Sequence, residues 1–575
     1  MILLALAGLA IVISSWAFAF DYVIDDLNFY PIPAVSKPAK GEIYTDPIFH
    51  SQIVRITDSV LDNCEGKKWF YSGYPKHSCE NADGTIITVQ GSYDSGWCFW
   101  QAVPPYKKLG CIPTKWVEWK RRLDVRWDYQ DPHVCYFTMS YGTKAFYKYI
   151  LEFKEDGTLK DGQMTMLHNF QEDIDAHWSE WNVQSVEFWE EGDSSDNSRY
   201  WVWSIVAYDE ARTLGTRWPR PGILVYDKDH YGKDNGKTIA TLRWDQPGWR
   251  HPGFCSMSPS GKYVWTGDAH RLYDRNLNML RDMNLEWGHA DMAISAEGRE
   301  VIFGYSIKDG KYWYAMEDLE TGELTYLVEK PNAGYHASGN CHLTPGWGVY
   351  SCYHPRWPEV PFQWGQHEID LVELTTRTDP PPKVWRVCHT HTLGQRTDGV
   401  DDPFGKITRD GKRLYFSSGW GCSYGNDEGC EIDIFQITLP ETWREDIAAG
   451  EYPVPPPYVA PEEQEKKYSV TFEWDASTDP DDNLAGYRLY QSLESGGYTK
   501  GEPIAQILVE ELADPNKPQY ILPDVSAGGP YYWNITAYDA DGLESDFNDE
   551  VSSLVPIVEP QPISNPKNLR IKEIK

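Results

Sequence analysis

The chain has 575 residues, 41% of them hydrophobic, which is too long for one ordinary domain and ample for a large core. Its formal net charge of −33 argues against a nucleic-acid partner and against an anionic membrane surface, because no basic excess exists to displace counterions from phosphates. The acidic surplus reads as a solubility feature, so a polyanionic substrate would need positive charge concentrated at its own site.

Residues 1–19 form an apolar run that ends in Ala17-Phe18-Ala19. Small residues at the −3 and −1 positions fit signal-peptidase cleavage after Ala19, giving a secreted or cell-surface protein. No positively charged residue precedes the run, which keeps an uncleaved anchor as the alternative. No second stretch is long and apolar enough for a stable membrane span. Eleven cysteines agree with an oxidising compartment. Short separations pair Cys64 with Cys79, Cys98 with Cys111, Cys341 with Cys352 and Cys422 with Cys430, leaving Cys135, Cys255 and Cys388 over. No CxxC pair occurs, so a zinc ribbon is not supported.

Residues 40–445 show short alternating strands punctuated by Gly and Asp turns, and no convincing amphipathic helix. One unit recurs: an apolar strand, a polar turn with glycine, and a second apolar strand. Its copies are NADGTIITV (81–89), MSPSGKYVW (257–265), ISAEGREVIF (294–303) and ITRDGKRLYF (407–416), with a degenerate LTPGWGVYS (343–351). Gly261 and Gly298 lie 37 residues apart, about one four-stranded blade, which predicts a β-propeller. With DVRWDYQ (124–130) and NVQSVEFW (182–189) as further inner strands the count is seven blades, six or eight staying open. SQIVRIT (51–57) and DIFQITL (433–439) are the expected closing strands from the two ends of the ring.

The Pro-rich segment 451–467 reads as a semi-rigid spacer. Beyond it, residues 468–557 alternate as a β-sandwich does, with Val470, Phe472 and Trp474 on one face. Trp474, the Gly486-Tyr487 strand start, and the run from Tyr532 to Asp539 leading into Gly542-Leu543-Glu544-Ser545 resemble a fibronectin type III domain. The tail, 558–575, looks like the opening of a further such domain. The fold class is therefore all-β, a seven-bladed propeller followed by a fibronectin type III-like sandwich.

Residues just before each inner strand converge near a propeller's axis, so distances from the turn glycines locate a shared site. His251 and His336 stand ten residues before Gly261 and Gly346, while His289 and Asp402 stand nine before Gly298 and Gly411. Arg250 and Tyr335 adjoin two of these histidines, and Arg396 enters the loop of Asp402. Imidazoles converging with a carboxylate suit divalent-metal ligation by His251, His289, His336 and Asp402, or general acid–base work. His389 and His391 share one face of the strand KVWRVCHTHT, as metal ligands would, but that strand is expected on the outside of a blade. No GxSxG elbow and no Gly-Lys-Ser/Thr phosphate loop occurs.

The motifs NADGT, GHADMAISAEG and TRDGKRLYFSSGWG resemble those of secreted bacterial propellers that include polysaccharide lyases acting on oligogalacturonate and ulvan. In oligogalacturonate lyases a metal-binding Gln-x-x-His-x-His precedes the last blade turn; Gly399, Asp402 and Phe404 stand there in this chain, a departure that puts that metal site in doubt. The resemblance implies β-elimination on a uronate-containing polysaccharide. Arg250, Arg396 or a divalent metal would neutralise the carboxylate, His289 or His336 would act as base, and Tyr335 as acid. Two other classes fit the same sequence: a non-catalytic propeller binding cell-surface glycans or proteins, and a structural component of an extracellular assembly.

Overall fold

The computed structural model describes residues 22–62, 70–91, 97–112, 123–139, 143–160, 162–188, 191–214, 216–244, 253–286, 289–330, 334–353, 363–392, 402–421, 431–450, 467–478, 483–493, 495–526, 528–547, 549–555 and 569–574. The chain divides into two compact units, Met1–Pro456 and Pro457–Lys575, with the boundary inside the Pro-rich segment.

Among the described residues, the first unit holds seven antiparallel sheets of four or five strands. In chain order they open with Phe70–Tyr71, Leu123–Trp127, Val183–Glu187, Cys255–Met257, Asp291–Ile294, Gly334–Ser338 and Lys406–Ile407. The recurring turn between the first and second strands works because its glycine takes a positive φ, +75° at Gly298 and +68° at Gly411, at no steric cost. At Gly411 a Cβ would also crowd the Arg444 guanidinium and the Thr344 hydroxyl, which would have to shift.

Strands buried on both faces pack sheet against sheet. Phe99 and Trp127 join the first sheet to the second, Phe146 and Trp201 the second to the third, and Val225 and Val264 the third to the fourth. Trp265 and Ile302, Phe303 and Tyr350, then Leu371 and Phe416 carry the series to the seventh sheet. Ile87 and Tyr415 then join the seventh sheet back to the first, so the layers close into a ring, a β-propeller. Gln52–Arg55 pairs with Asp433–Thr438, Ile53 opposite Ile437, and so both ends of the unit meet in one sheet.

Two seven-residue helices escape the periodic reading, α1 (Gln171–His177) and α2 (Trp443–Ala449). Two turns are too short to show a 3.6-residue repeat, and packing holds them: Trp443 of α2 sits 5.1 Å from Trp347 and 5.4 Å from Trp385. No helix among the described residues is long and apolar enough to cross a membrane.

Cys98 and Cys111 form a disulfide between adjacent strands. The pairing of Cys341 with Cys352 is corrected: both are buried free thiols. Cys341 faces the core between the sixth and seventh sheets and Cys352 the core between the fifth and sixth, so short separation does not bring them together. Cys79 is likewise a free thiol; Cys64, Cys422 and Cys430 lie outside the described residues. Removing the bridge with Cys98→Ser/Cys111→Ser frees a loop of 13 residues, and the denaturant midpoint should fall by the equivalent of about 3 kcal/mol.

The second unit is a sandwich of a three-stranded sheet and a four-stranded sheet around Phe472, Leu489 and Trp533. The tail differs from expectation. Leu569–Ile574 pairs antiparallel with Lys467–Trp474, placing Ile571 opposite Phe472 and Leu569 opposite Trp474, so it completes this sheet rather than opening another domain.

Candidate functional site

Residues 72–80 leave the strand Phe70–Tyr71 and run along the ring axis, where they meet side chains from the six other sheets, Trp127 of the second donating to the Cys79 carbonyl at 2.9 Å. The ammonium of Lys406, only 1% exposed, donates to the carbonyls of Ser72, Gly73 and Tyr74 at 2.8, 2.9 and 2.8 Å. Asn340 Nδ2 donates to the Pro75 carbonyl at 2.9 Å. Lys76 pairs with Glu191 at 2.6 Å and stands 3.5 Å over the Phe254 ring. Burial alone would disfavour these ammonium groups; it pulls Lys406 down to about 7 and lowers Lys76 from its ordinary range.

Held in this way, Tyr74 meets the residues that the turn register singled out. Its hydroxyl hydrogen-bonds His289 Nδ1. With tyrosine donating, Nδ1 accepts and the imidazole proton sits on Nε2. The His289 and His336 rings lie 4.3 Å apart, and the Tyr74 ring meets His336 edge-on at 5.3 Å. His336 Nε2 is 3.0 Å from Asp402 Oδ2, and Phe404 covers the same imidazole at 4.7 Å. Burial, then the neighbouring His336, pull His289 down to about 3; burial, then Lys76, pull His336 down to about 3. The Asp402 carboxylate acts against that shift on His336, and the outcome is two neutral imidazoles at neutral pH.

The structure therefore brings together His289, His336 and Asp402, from the fifth, sixth and seventh sheets. Tyr335 goes elsewhere, which corrects its expected role as the acid beside them. Successive residues of a strand face opposite sides, so Tyr335 turns into the core between sheets, with Lys330 5.0 Å over its ring and Tyr350 at 5.3 Å. Arg250, His251 and Arg396 lie outside the described residues.

His389 and His391 belong to other settings. His389 ends Val384–His389, the fourth strand of its sheet, and its Nδ1 is 3.0 Å from Asp46. Burial opposes both charges, but their attraction prevails, raising the histidine and lowering the carboxyl. His391 stacks on Trp420 at 3.9 Å. Among the described residues, no three His, Cys, Asp or Glu side chains are arranged to hold a metal ion. Nδ1 of His289 is engaged with Tyr74 and Nε2 of His336 with Asp402, and His251, the fourth expected ligand, lies outside the described residues.

Tyr74, Lys76 and Lys406 were not singled out in the sequence, and Phe404 was noted only as the residue standing at a metal-ligand position of the lyase motif. Tyr74 had a signal, since it stands ten residues before Gly84, the glycine of the first turn copy. A register followed for histidines and acids passes over it.

A pocket of about 650 Å³ lies away from this cluster, lined by Asp196, Ser260, Tyr263, Arg299 and Glu300 among others. Its walls are first-turn hairpins together with Asp318 and Glu320 at the turn after Lys311–Asp318, and both kinds of turn emerge at the opposite end of the strands from the loop of His289. There Asp196 binds His342 at 2.7 Å and Arg409 at 3.1 Å, drawing three sheets together.

No protein-family model and no curated protein matches the sequence. Among solved structures the chain is similar to an oligogalacturonate lyase from Vibrio parahaemolyticus, at 11% identity over 70% of this chain and 100% of that one, with a TM-score of 0.45. It is also similar to Kuenenia stuttgartiensis hydrazine synthase, at 11% identity over 62% of this chain and 96% of that one (TM-score 0.34). The β-propeller domain of the Trilobed protease from Pyrococcus furiosus is 9% identical over 52% of this chain and 78% of that one (TM-score 0.26). At these scores the likenesses add no weight to the fold, which rests on the sheets and their ring of cores.

Proposed function

We propose that this protein is a secreted, lyase-like propeller that cleaves an acidic, uronate-containing polysaccharide by β-elimination at the axial cluster. The observation that carries the reading is the Tyr74–His289 hydrogen bond backed by His336 and Asp402. In the reaction a base takes the C5 proton, the C4–O4 bond breaks as the C4–C5 double bond forms, and O4 receives a proton. The hydrogen-bonded tyrosine and imidazole supply one group to take a proton and one to give it. Both imidazoles are weak bases in the free protein. A uronate carboxylate brought beside them raises their proton affinity towards neutrality, so the cluster suits an anionic sugar better than a neutral one. Secretion is supported by the apolar opening segment and by the Cys98–Cys111 bridge. In the same reading the C-terminal sandwich is a fibronectin type III-like accessory domain.

The test is ultraviolet absorbance of unsaturated uronate ends, after incubation with polygalacturonate, alginate and ulvan. Product from at least one polymer is expected, with Tyr74→Phe and His289→Gln each slowing its release at least about a hundredfold. Polymer binding without product from any of them would replace the enzyme with a glycan-binding propeller.

A further inference from the structure

The loop joining the second and third strands of the third sheet, residues 208–221, carries an exposed aromatic pair beside an arginine, a surface that the axial cluster does not use. Trp218 is 39% exposed, unusual for an indole in a chain that buries Trp201, Trp203 and Trp385 completely. Tyr208 packs edge-on against it at 5.0 Å. Arg217, next in sequence, keeps half of its side chain in solvent and stands 3.7 Å from the exposed Glu210 carboxylate, to which Tyr208 also donates, so a sugar carboxylate would have to displace that acid. The segment's exposed Arg212 and Arg217 balance Asp209 and Glu210, while Arg220 is buried against Glu187, so the segment is locally neutral within a protein of net charge −33.

This surface is prearranged. Ala207 N–H donates to the Pro219 carbonyl at 3.0 Å and Asp209 N–H to the Arg217 carbonyl at 2.9 Å, closing the base of the loop. The Asp209 carboxylate accepts from the backbone of Ala211 and Thr213 at 3.0 and 2.6 Å, and Thr216 Oγ1 accepts from Trp218 N–H at 3.2 Å. A plate held by its own backbone loses little freedom when a ligand lands on it.

Topology sets which way it faces. Strands of an antiparallel sheet alternate in direction, so a loop between second and third strands emerges where the first strand begins. His289 and Asp402 stand at that same end, just ahead of Asp291–Ile294 and Lys406–Ile407. The plate and the axial cluster thus open on one face of the ring.

We propose that Trp218, Tyr208 and Arg217 form an outlying sugar subsite that binds a uronate residue of an acidic polysaccharide, a reading that rests on the proposed function and extends it. A pyranose ring offers a face of C–H bonds to the indole, while the guanidinium reaches its carboxylate. Acidity of the sugar is what Arg217 selects; the flat ring is what Trp218 selects.

The experiment is affinity electrophoresis of the full chain through gels holding polygalacturonate, alginate, ulvan or neutral dextran. Wild type should be retarded by at least one acidic polymer and not by dextran. Trp218→Ala should weaken that retardation about tenfold, Trp218→Phe should keep most of it, and Arg217→Gln should weaken it less than Trp218→Ala. Retardation unchanged in Trp218→Ala, absent with all three acidic polymers, or equal in dextran overturns the subsite. A surface that pairs instead with protein would give the second of these results. Because the readout is binding, Trp218-dependent retardation without unsaturated product would leave the subsite standing while the lyase reading fell.

Discussion

Lys406→Met is expected to lower the stability of the first unit by about 3–5 kcal/mol, read as a shift of the urea midpoint at unchanged slope. Protonated, Lys406 can donate to all three backbone carbonyls, and as the neutral amine to two of them, whereas methionine leaves all three buried without a donor. Tyr74 rides on one of those carbonyls, so any turnover should be lost as well, even where the variant remains folded. A pH series separates the lysine from simple packing. Burial holds Lys406 near 7 in the folded chain, against an ordinary 10.5 when unfolded. Between those values the unfolded chain binds a proton that the folded chain lacks, so wild-type stability gains from rising pH. The gap between wild type and Lys406→Met should therefore widen from pH 7 to pH 10; a gap that narrows would mean that the ammonium form is the one the fold prefers.

Acid should weaken the protein through His336. This imidazole is 2% exposed, and its pKa is pulled from an ordinary 6.5 to about 3. Its contribution is complete above pH 6.5. As pH falls from 6.5 towards 3, the unfolded chain takes up a proton that the folded chain refuses, and stability is lost. Between pH 7 and pH 5 the loss from this one group is up to about 2 kcal/mol, with Asp402 reducing it. Urea titrations at the two pH values should show a smaller drop in His336→Gln than in wild type. His389 has the opposite sign: raised by Asp46, it stabilises below its unfolded pKa and loses that contribution as pH rises through the folded value. An equal drop in wild type and His336→Gln would remove His336 as the source.

The architecture was legible because its signals are local. A turn glycine with positive φ shows as Asp-Gly, Ser-Gly or Glu-Gly between apolar runs, and Gly298 and Gly411 adopt that conformation. The closing strands were legible for a related reason: both are apolar alternations at the two ends of a repeat, and Ile53 does lie opposite Ile437. Counting back from the glycines found His289, His336 and Asp402, since the length of an inner strand fixes where its loop begins.

Which neighbours these residues meet is a different kind of fact. Tyr335 and His336 are adjacent in sequence, and only the facing of their strand separates an inter-sheet tyrosine from an axial histidine. Cys341 and Cys352 are close in sequence, yet they serve different cores. Lys406 donates to Tyr74 across 332 residues, a contact with no local signature. By itself the sequence determined the all-β class, the repeated turn, the register of the site and the division at the prolines, because backbone conformation and side-chain alternation are encoded within a few residues. Only the tertiary structure decided that Tyr74 and Lys406 join the histidines, for their meeting depends on how the sheets close around one axis.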